Sequence, residues 1–352
     1  MKVLVFGGTG AMGIHLVELL SKRGIEVYVT SRTKRDTSGN ISYVQGNAQD
    51  IDFLETLLQE RWDAIVDFMV YSTDCFKDRI ELLLNASSHY FFLSSARVYA
   101  DSEVPITETT SRLLDKSVDK EYLSTDEYSL AKARQEDILQ NSKFTNWTII
   151  RPYITYSQNR LQLGVLEKEE WLFRALHGRT IVFSKDICSR KTTLTYGLDV
   201  SKGISELVGN SRALGEIFQI ASEESCSWEA VLKLYLEILE SHLGLKPKVL
   251  LQDLDSFIEW KSGNYQIFYD RLFNRSFDCS KIAQFVDVRD FTKIDDGLRS
   301  CLVRFLERPI FRTINWKMEA LKDKKVKEFT PIKEIPGFRQ KARYLIYRYL
   351  IK

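Results

Sequence analysis

Short apolar runs alternate with amphipathic stretches through residues 2–95. Runs of apolar and β-branched residues predict buried strands at KVLVF (2–6), EVYVTSR (26–32), ISYVQGN (41–47), DAIVDFMVY (63–71) and HYFFLSS (89–95). Between them, apolar residues recur at helical spacing in HLVELLSKRG (15–24), DFLETLLQER (52–61) and DRIELLLNAS (78–87). This alternation predicts an α/β fold with a doubly wound parallel sheet, which binds its ligands at the carboxyl ends of the strands.

A glycine-rich turn, GGTGAMG, separates the first predicted strand from the first helix. Its glycines Gly7, Gly10 and Gly13 suit a tight bend, close approach of the backbone to a pyrophosphate, and close packing of helix on strand. The helix N-terminus behind them offers free N–H groups and the positive end of a helix dipole to phosphates. We interpret this strand–turn–helix context as a dinucleotide-binding site; the alternative is a turn that binds nothing.

The end of the second strand predicts which dinucleotide binds. An NAD-preferring site carries Asp or Glu there for the ribose 2′-hydroxyl, whereas this chain has Ser31 and Arg32, followed by Lys34 and Arg35. Because a guanidinium pairs with a 2′-phosphate and no carboxylate repels it, we expect NADP in preference to NAD. The alternative is that these cations are solvated loop charges. Four residues at other strand ends are also expected beside the cofactor: Asn47, Phe68, Met69 and Ser94.

Two more motifs follow in chain order. LSSARVYA (93–100) closes the fifth strand, and YSLAK (128–132) holds a tyrosine and a lysine four residues apart, on one helix face. Together with the glycine turn, this ordered set resembles the extended short-chain dehydrogenase/reductases, the superfamily of nucleotide-sugar epimerases, dehydratases and reductases. RPYITY (151–156) and TYGLDVSKGI (195–204) are similar to later segments of that family, so the resemblance covers residues 1–222.

The resemblance implies roles for individual residues. Tyr128 matches the family's catalytic tyrosine, Lys132 its lysine, and Ser95 its serine or threonine. Hydride transfer at a carbinol carbon requires a proton to move at the oxygen, and a cation one helical turn from a phenol favours the phenolate that accepts it. Ser95 would hydrogen-bond the substrate oxygen as its charge changes. A Rossmann-type cofactor site is implied for Gly7, Thr9, Gly10, Ala11, Met12, Gly13, Ser31, Arg32, Asn47, Phe68, Met69, Ser94, Tyr128, Lys132 and Pro152.

The triplet Thr125-Asp126-Glu127 directly precedes Tyr128. In the family's 4,6-dehydratases such a triplet lies instead at a strand end, where this chain has Ser95-Ala96-Arg97. Because no acid stands there to protonate a leaving hydroxyl, we expect that the protein is not a 4,6-dehydratase. We interpret the triplet as the start of a helix, a hydroxyl N-cap followed by two carboxylates in the first turn. Substrate contact by Glu127 is the alternative.

Two reactions fit the remaining motifs: Arg32 and its neighbours favour an exchanging NADPH and so a reductase, whereas the motif set as a whole favours an epimerase, and the residues do not separate them. One is an NAD(P)-dependent sugar-nucleotide epimerase of polysaccharide biosynthesis, which returns the hydride to its substrate. The other is an NADPH-dependent keto-sugar reductase; a non-catalytic relative that binds NADP or RNA is a third reading. One departure concerns the substrate diphosphate, because many such epimerases hold it with an Asn at the position of Ile154. Cations that could replace this Asn, or remain solvated, are Arg160, Arg174, Arg179, Lys185, Arg190 and Lys191.

Composition narrows the class of protein. The chain has 352 residues, 44% hydrophobic and 28% charged, and no apolar run long enough to span a membrane. Five scattered cysteines and four histidines form no metal-ligand or disulfide spacing, so we expect a reducing cytoplasm and no metal. Residues 308–352 hold 13 Lys and Arg against 4 Asp and Glu, which leaves residues 1–307 at −7 in a chain of net charge +2. The acidic body makes a nucleic-acid partner unfavourable. The family resemblance implies a small-molecule substrate, a nucleotide sugar, and we expect a homodimer.

The predicted organisation has three parts. Residues 1–152 with about 193–222 form the dinucleotide-binding domain, about 153–192 with 223–309 form a smaller C-terminal α/β substrate-binding domain, and 310–352 form a basic extension. SWEAVLKLYLEILESHLG (227–244) predicts a helix opened by Ser227 and closed by Gly244.

The basic extension combines two patterns. KDKKVKEFTPIKEIPGF (322–338) has a linker-like composition of charges and prolines. After it, one helical face carries apolar residues flanked by arginines: Phe338, Ala342, Leu345 and Tyr349, with Arg339, Arg343 and Arg348. Such a face predicts contact with an anionic membrane surface, or docking on the body of the protein or on a dimer partner.

Overall fold

The computed structural model describes residues 1–350; the last two residues of the predicted extension, 351 and 352, lie outside the described residues. The strands are β1 Lys2–Phe6, β2 Glu26–Ser31, β3 Ile41–Gln45, β4 Ala64–Asp67, β5 Tyr90–Leu93, β6 Trp147–Pro152, β7 Thr155–Tyr156, β8 Ile181–Ser184, β9 Lys191–Thr192, β10 Thr195–Tyr196, β11 Glu216–Ile220, β12 Cys226–Ser227 and β13 Val249–Gln252. The α-helices are α1 Gly13–Lys22, α2 Ile51–Leu57, α3 Thr73–Ala86, α4 Leu113–Lys116, α5 Lys120–Ser124, α6 Tyr128–Gln140, α7 Leu172–Leu176, α8 Lys185–Cys188, α9 Gly197–Leu207, α10 Trp228–Leu243, α11 Leu254–Ile258, α12 Asn264–Gln266, α13 Ile294–Glu307, α14 Trp316–Val326 and α15 Gly337–Leu345.

Seven strands form one parallel sheet in the order β11-β6-β5-β4-β1-β2-β3. The first strand, β1, is central and pairs with β2 on one side and β4 on the other, so the chain winds outward in both directions from this point. In doubly wound sheets this topological switch point is where ligands bind, outside the carboxyl ends of the strands. The predicted Rossmann-type fold is confirmed.

The central strands are apolar because helices cover both faces of the sheet. All four residues of β4 and of β5 are buried, as expected for strands inside a parallel α/β sheet. On one face, Phe6 and Phe92 from the strands join Phe76 of α3 and Leu139 of α6 in a single apolar cluster. This packing fixes α6 against the sheet, and α6 carries the YSLAK motif.

The chain divides into two compact units: residues 1–157, 193–225 and 275–294 form the first, and residues 158–192, 226–274 and 295 onward form the second. The seven-stranded sheet belongs to the first unit. Residues 275–294 join that unit, whereas their composition had suggested the substrate-binding part. The reason is a backbone bridge, in which Ile106 N donates to Ser276 O and Asp278 N donates to Ile106 O, both at 2.9 Å.

In the second unit, β8 pairs in parallel with β13. The long helix α10 begins and ends as predicted, since Ser227 Oγ accepts a hydrogen bond from Ala230 N at 3.0 Å and Gly244 ends it at φ +72°. Residues 310–350 belong to this unit and do not form a separate extension; their helices α14 and α15 pack with Phe173 of α7. Among the described residues, no helix is both long and apolar enough to cross a bilayer.

Candidate functional site

The turn after β1 leaves no room for side chains at its glycines. Gly7 has φ +69°, a conformation that glycine adopts without strain. A Cβ on Gly13 would lie 2.5 Å from the Cα of Gly8 and 2.7 Å from the carbonyl oxygen of Gly7. Gly8, which the spacing argument did not single out, is also required, because a Cβ there would lie 2.8 Å from a methyl group of Val29.

At the start of helix α1, the N–H groups of Ile14, His15 and Leu16 donate to the backbone oxygens of Gly10 and Met12. Its N-cap residue, Met12, makes no side-chain capping hydrogen bond. The turn itself is supported by α9, because Ser201 Oγ donates to Met12 O at 2.8 Å and a Cβ on Gly197 would lie 2.4 Å from Ala11 O. A rigid glycine cradle and an uncapped helix N-terminus fit the pyrophosphate of a dinucleotide.

The other predicted cofactor residues lie at strand ends around the switch point. Phe68 and Met69 follow β4 and approach the turn, since a Cβ on Gly7 would lie 3.2 Å from the Cβ of Phe68. Asn47, two residues beyond β3, is exposed and accepts a hydrogen bond from the N–H of Gln49. The remaining strand-end residues are Ser31, which ends β2, Arg32, Ser94, which follows β5, and Pro152, which ends β6.

Helix α6 presents the predicted catalytic pair beside the end of β5. Tyr128 is its first residue and is half-buried, and the Arg97 guanidinium lies 5.1 Å from the centre of its ring. The helix packs against the short turn 96–98 that follows Ser95. Ser95 Oγ accepts a hydrogen bond from Arg97 N at 3.2 Å, which leaves its own hydroxyl proton to donate to a ligand. The ordered motifs of the sequence are therefore brought to one edge of the sheet.

The environment of the Lys132 ammonium is unusual for a lysine. It is only 2% exposed, and among the described residues its ammonium has no hydrogen-bond partner. The group lies 4.4 Å from the centre of the Phe92 ring. Burial lowers the pKa of Lys132 to about 8, while the carboxylates of Asp67 and Glu136 act in the opposite direction. A buried ammonium with unused donors is costly in an empty protein and suits a ligand that supplies oxygen acceptors.

Asp67 is a functional candidate that the sequence reasoning missed. It ends β4, is 1% exposed, and its Cα pairs in register with that of Phe92. Its carboxylate accepts hydrogen bonds from Tyr90 Oη at 3.0 Å, Tyr71 Oη at 3.1 Å and Met69 N at 2.9 Å. Burial raises the pKa of Asp67, whereas these hydrogen bonds and the charge of Lys132 oppose that rise. Asp67 therefore supplies negative charge beneath the lysine.

Glu136 is the second residue that was missed, and the sequence did contain a signal for it. It follows Tyr128 and Lys132 at the same four-residue interval, so all three share one face of α6. The fully buried Glu136 carboxylate binds the guanidinium of Arg151 twice, at 2.8 and 2.7 Å, and accepts from Ser94 Oγ at 2.5 Å. This ties α6 to the ends of β5 and β6. The hydroxyl of Ser94, predicted to face the cofactor, is used here.

The triplet before Tyr128 acts at helix starts, although not in the predicted arrangement. Helix α6 begins at Tyr128, and Glu127, rather than Thr125, is its N-cap, accepting from Ser129 N at 2.8 Å. Asp126 serves a different helix, because it accepts from the N–H and hydroxyl of Thr73 at the start of α3. The two carboxylates therefore precede the first turn of α6 instead of lying within it.

The surroundings of Glu127 and Ile154 limit the proton transfers and the substrate contacts that these two residues can make. The Glu127 carboxylate also pairs with Arg97 at 2.6 Å, so it is held by protein groups. Ile154 is buried at φ +24°, a conformation disfavoured for a β-branched residue, and its carbonyl accepts from Thr195 N at 3.1 Å. The position matching the family's asparagine thus has an unusual backbone conformation without an amide to offer a diphosphate.

Comparison with known proteins agrees with this geometry. The model of the NAD dependent epimerase/dehydratase family matches residues 3–221. A curated relative, the chloroplast stem-loop binding protein of 41 kDa b from Arabidopsis thaliana, is 27% identical over 248 residues, 66% of this chain. The aligned region spans 61% of that relative's own length.

Solved structures show the same fold at lower identity. An epimerase from Methanothermobacter thermautotrophicus has a TM-score of 0.66 at 18% identity and covers 87% of this chain and 93% of its own. The UDP-glucuronic acid 4-epimerase of Bacillus cereus, in complex with NAD, has a TM-score of 0.64 at 16% identity, over 88% of this chain and all of its own (100%). The dTDP-glucose 4,6-dehydratase of Bacillus anthracis, in complex with NAD, gives 0.64 at 16% identity, over 88% and 97%. With the family model covering residues 3–221, the chain belongs to the NAD-dependent epimerase/dehydratase family, of the extended short-chain dehydrogenase/reductase type.

Proposed function

We propose that the protein is an NAD(P)-dependent sugar-nucleotide epimerase that works by reversible oxidation of a carbinol carbon. The observation that carries this proposal is the Lys132 ammonium, which is buried beside the glycine-turn edge of the sheet without a hydrogen-bond partner among the described residues. Retaining such a group is costly unless a ligand completes its hydrogen bonds. The hydroxyls of a nicotinamide ribose are ligands of that kind.

The chemistry falls to three side chains. When bound, a nicotinamide dinucleotide accepts and returns the hydride. Tyr128 takes the proton of the substrate hydroxyl as the carbinol is oxidised and gives it back on reduction. Lys132 favours the phenolate form that accepts this proton, and Ser95 donates a hydrogen bond to the reacting oxygen. Asp67 and Glu136 act on Lys132 through their charge, which favours its ammonium form.

We infer that the same site does not eliminate water. The strand-end segment after β5 carries Ser95, Ala96 and Arg97, none of which is an acid. The acid directly before Tyr128, Glu127, is held by Arg97 and Ser129. Dehydratases share the fold, as the Bacillus anthracis enzyme does, so the argument rests on these side chains and not on the architecture.

A nucleotide sugar is the substrate class we propose, supported by one structural neighbour that contains UDP-glucuronic acid and another that contains UDP. Since Ile154 offers no amide, the diphosphate would be held by other groups. Arg174 is excluded as such a group because it binds Glu319 and Asp323 at 2.8 Å.

The experiment that tests the function begins with the nucleotide that co-purifies. The protein is denatured, the released nucleotide is identified, and the native enzyme is incubated with UDP- and dTDP-sugars while products are followed by NMR. Tightly held oxidised cofactor and interconversion of epimers are expected. Net consumption of NADPH with a keto-sugar would show that the protein is the reductase and not the epimerase; the reductase uses the same three side chains. Elimination of water would overturn the inference drawn from Ala96 and Arg97.

Arg32 gives a prediction about cofactor choice. Its side chain is exposed directly after Ser31, where the second ribose of a dinucleotide binds in this fold. Replacing it by alanine is expected to weaken NADP binding about 10- to 100-fold, the size of a lost charge-assisted contact, and to leave NAD binding unchanged. Calorimetric titration with both nucleotides measures this, with Lys143→Ala, at an exposed lysine outside the strand ends, as the control. Equal weakening of both nucleotides by Arg32→Ala would contradict the assignment.

A second candidate function is binding of structured RNA, which the name of the 27% identical chloroplast relative favours. Residues 1–307 carry a net charge of −7, an unfavourable surface for phosphates, and the set Ser95, Tyr128 and Lys132 is complete. Gel-shift titration with a stem-loop RNA and a scrambled single strand separates the two functions. Salt-sensitive binding selective for the stem-loop, in a protein without sugar turnover, would favour the RNA function.

A further inference from the structure

The C-terminal helix α15 docks through the face opposite its apolar residues. Tyr344 is completely buried, donates to Asp323 Oδ2 at 2.6 Å and accepts from Thr330 N at 2.8 Å. Its ring belongs to the cluster that contains Trp316 and Ile335. The helix is therefore fixed by the buried hydroxyl of Tyr344, and the turn after it by Arg348, which donates to Glu328 O at 3.0 and 3.2 Å.

The outward face of α15 and of the turn that continues it is apolar and exposed. Phe338 is 85% exposed and Tyr349 is 59% exposed, and with Leu345 they recur at intervals of seven and four residues, which places them on one side of the helix. We define the outer face as the exposed side chains of Phe338, Leu345, Ile346, Tyr349 and Leu350. A contiguous exposed strip of this kind marks a surface that meets another body.

The charges around the outer face all have one sign. Residues 327–350 contain two carboxylates, and both are turned toward the second unit: Glu328 accepts from Thr180 Oγ1 at 2.6 Å and pairs with Arg174, and Glu334 pairs with Arg179. Three cations, Lys333, Arg339 and Arg343, are exposed, whereas Arg348, predicted to flank the apolar face, is half-buried and donates to Glu328 O. Because both carboxylates are paired within the protein, the apolar strip is bordered by positive charge.

We propose that the outer face binds an anionic phospholipid surface, with α15 lying in the plane of the interface. Apolar side chains on one face flanked by Arg and Lys are what such binding requires, because the chains enter the acyl boundary while the cations meet lipid phosphates. A second copy of this chain would fit the outer face less well than a lipid surface. Two-fold pairing of the outer face would bring Arg339 and Arg343 against the same cations of the partner, and like charges repel.

Vesicle co-sedimentation of the full-length protein tests the proposal. The protein is expected to bind phosphatidylcholine vesicles that contain phosphatidylserine, to bind pure phosphatidylcholine weakly, and to release as salt screens the charges. The double variant Phe338→Glu/Leu345→Glu should lower the affinity about tenfold or more, and so should Arg339→Glu/Arg343→Glu. Both variants should keep the thermal unfolding midpoint, because all four side chains are exposed.

The control is Val118→Glu, which adds a carboxylate at an exposed valine of the first unit and should leave lipid binding unchanged. Sedimentation equilibrium on the same proteins reports the oligomeric state. The proposal is overturned if the native protein does not bind the anionic vesicles, or if either double variant binds as well as Val118→Glu. It is also overturned if Phe338→Glu/Leu345→Glu dissociates a dimer that shows no lipid binding, since the outer face would then belong to a second copy.

Discussion

Replacing Lys132 by methionine is expected to abolish turnover and at the same time to stabilise the protein without its ligands. Turnover should fall about a hundredfold or more, because Tyr128 loses the cation that favours its phenolate. Stability should rise because the buried ammonium, whose pKa is lowered from 10.5 to about 8, is replaced by an apolar chain of similar length. A shift of this size corresponds to about 3 kcal/mol or slightly more, part of which is offset because Asp67 loses its counter-charge.

The pH dependence of that stabilisation has a definite sign. A lysine whose pKa is lower in the folded than in the unfolded protein destabilises the fold fully below about pH 8, and the penalty disappears as the pH rises from 8 to 10.5. The gain from Lys132→Met, measured by denaturant unfolding, should therefore be largest at neutral pH and vanish at alkaline pH. Lys143→Met, at a surface lysine paired with Glu81, is the control and should change neither property. A Lys132→Met protein that is less stable than the parent at neutral pH contradicts this account of the site.

The second large effect is expected from Glu136→Gln. The change removes the negative charge from a fully buried pair and leaves the Arg151 guanidinium without compensation, which costs about 3–5 kcal/mol in comparable cases. The carboxylate also holds α6 to the strand end through Ser94, so loosening it displaces Tyr128 and Lys132. We expect a large fall in the free energy of unfolding and weaker nucleotide binding together.

Denaturant unfolding and nucleotide titration on the same samples check the Glu136 prediction. Glu81→Gln is the matched control, because it makes the same chemical change in an exposed ion pair that is worth about 1 kcal/mol or less. Equal effects of Glu136→Gln and Glu81→Gln would show that the buried pair does not hold the helix in place.

The sequence predicted the parts of the fold that depend on local chemistry. The parallel strands could be found because burial on both faces leaves continuous apolar runs, as in β4 and β5. Helix α10 could be bounded to the residue because Ser227 and Gly244 act through their own backbone and side-chain geometry. Whether Ser95, Tyr128 and Lys132 act together in catalysis remains a prediction.

What escaped prediction depends on contacts between distant segments. Asp67 looked like the end of a strand, and only the fold brings Tyr90 and the lysine-bearing helix to it. The charges and prolines of residues 322–338 predicted a linker. In the structure, half of its charged residues have their partners more than a hundred positions upstream, as Glu328 does in Arg174. Periodicity correctly grouped Phe338 with Leu345 but could not tell which side of α15 meets the protein, since that side is set by hydrogen bonds from Tyr344 to Asp323 and from Arg348 to Glu328 O.

Turnover of nucleotide sugars by the Tyr128→Phe enzyme tests the central claim most directly. The substitution removes one hydroxyl from a half-buried ring and leaves Lys132, Asp67 and the glycine turn untouched. The account predicts that kcat falls about 10²- to 10⁴-fold while nucleotide affinity and the unfolding midpoint stay unchanged. A Tyr128→Phe enzyme that converts its substrate at the native rate would contradict it.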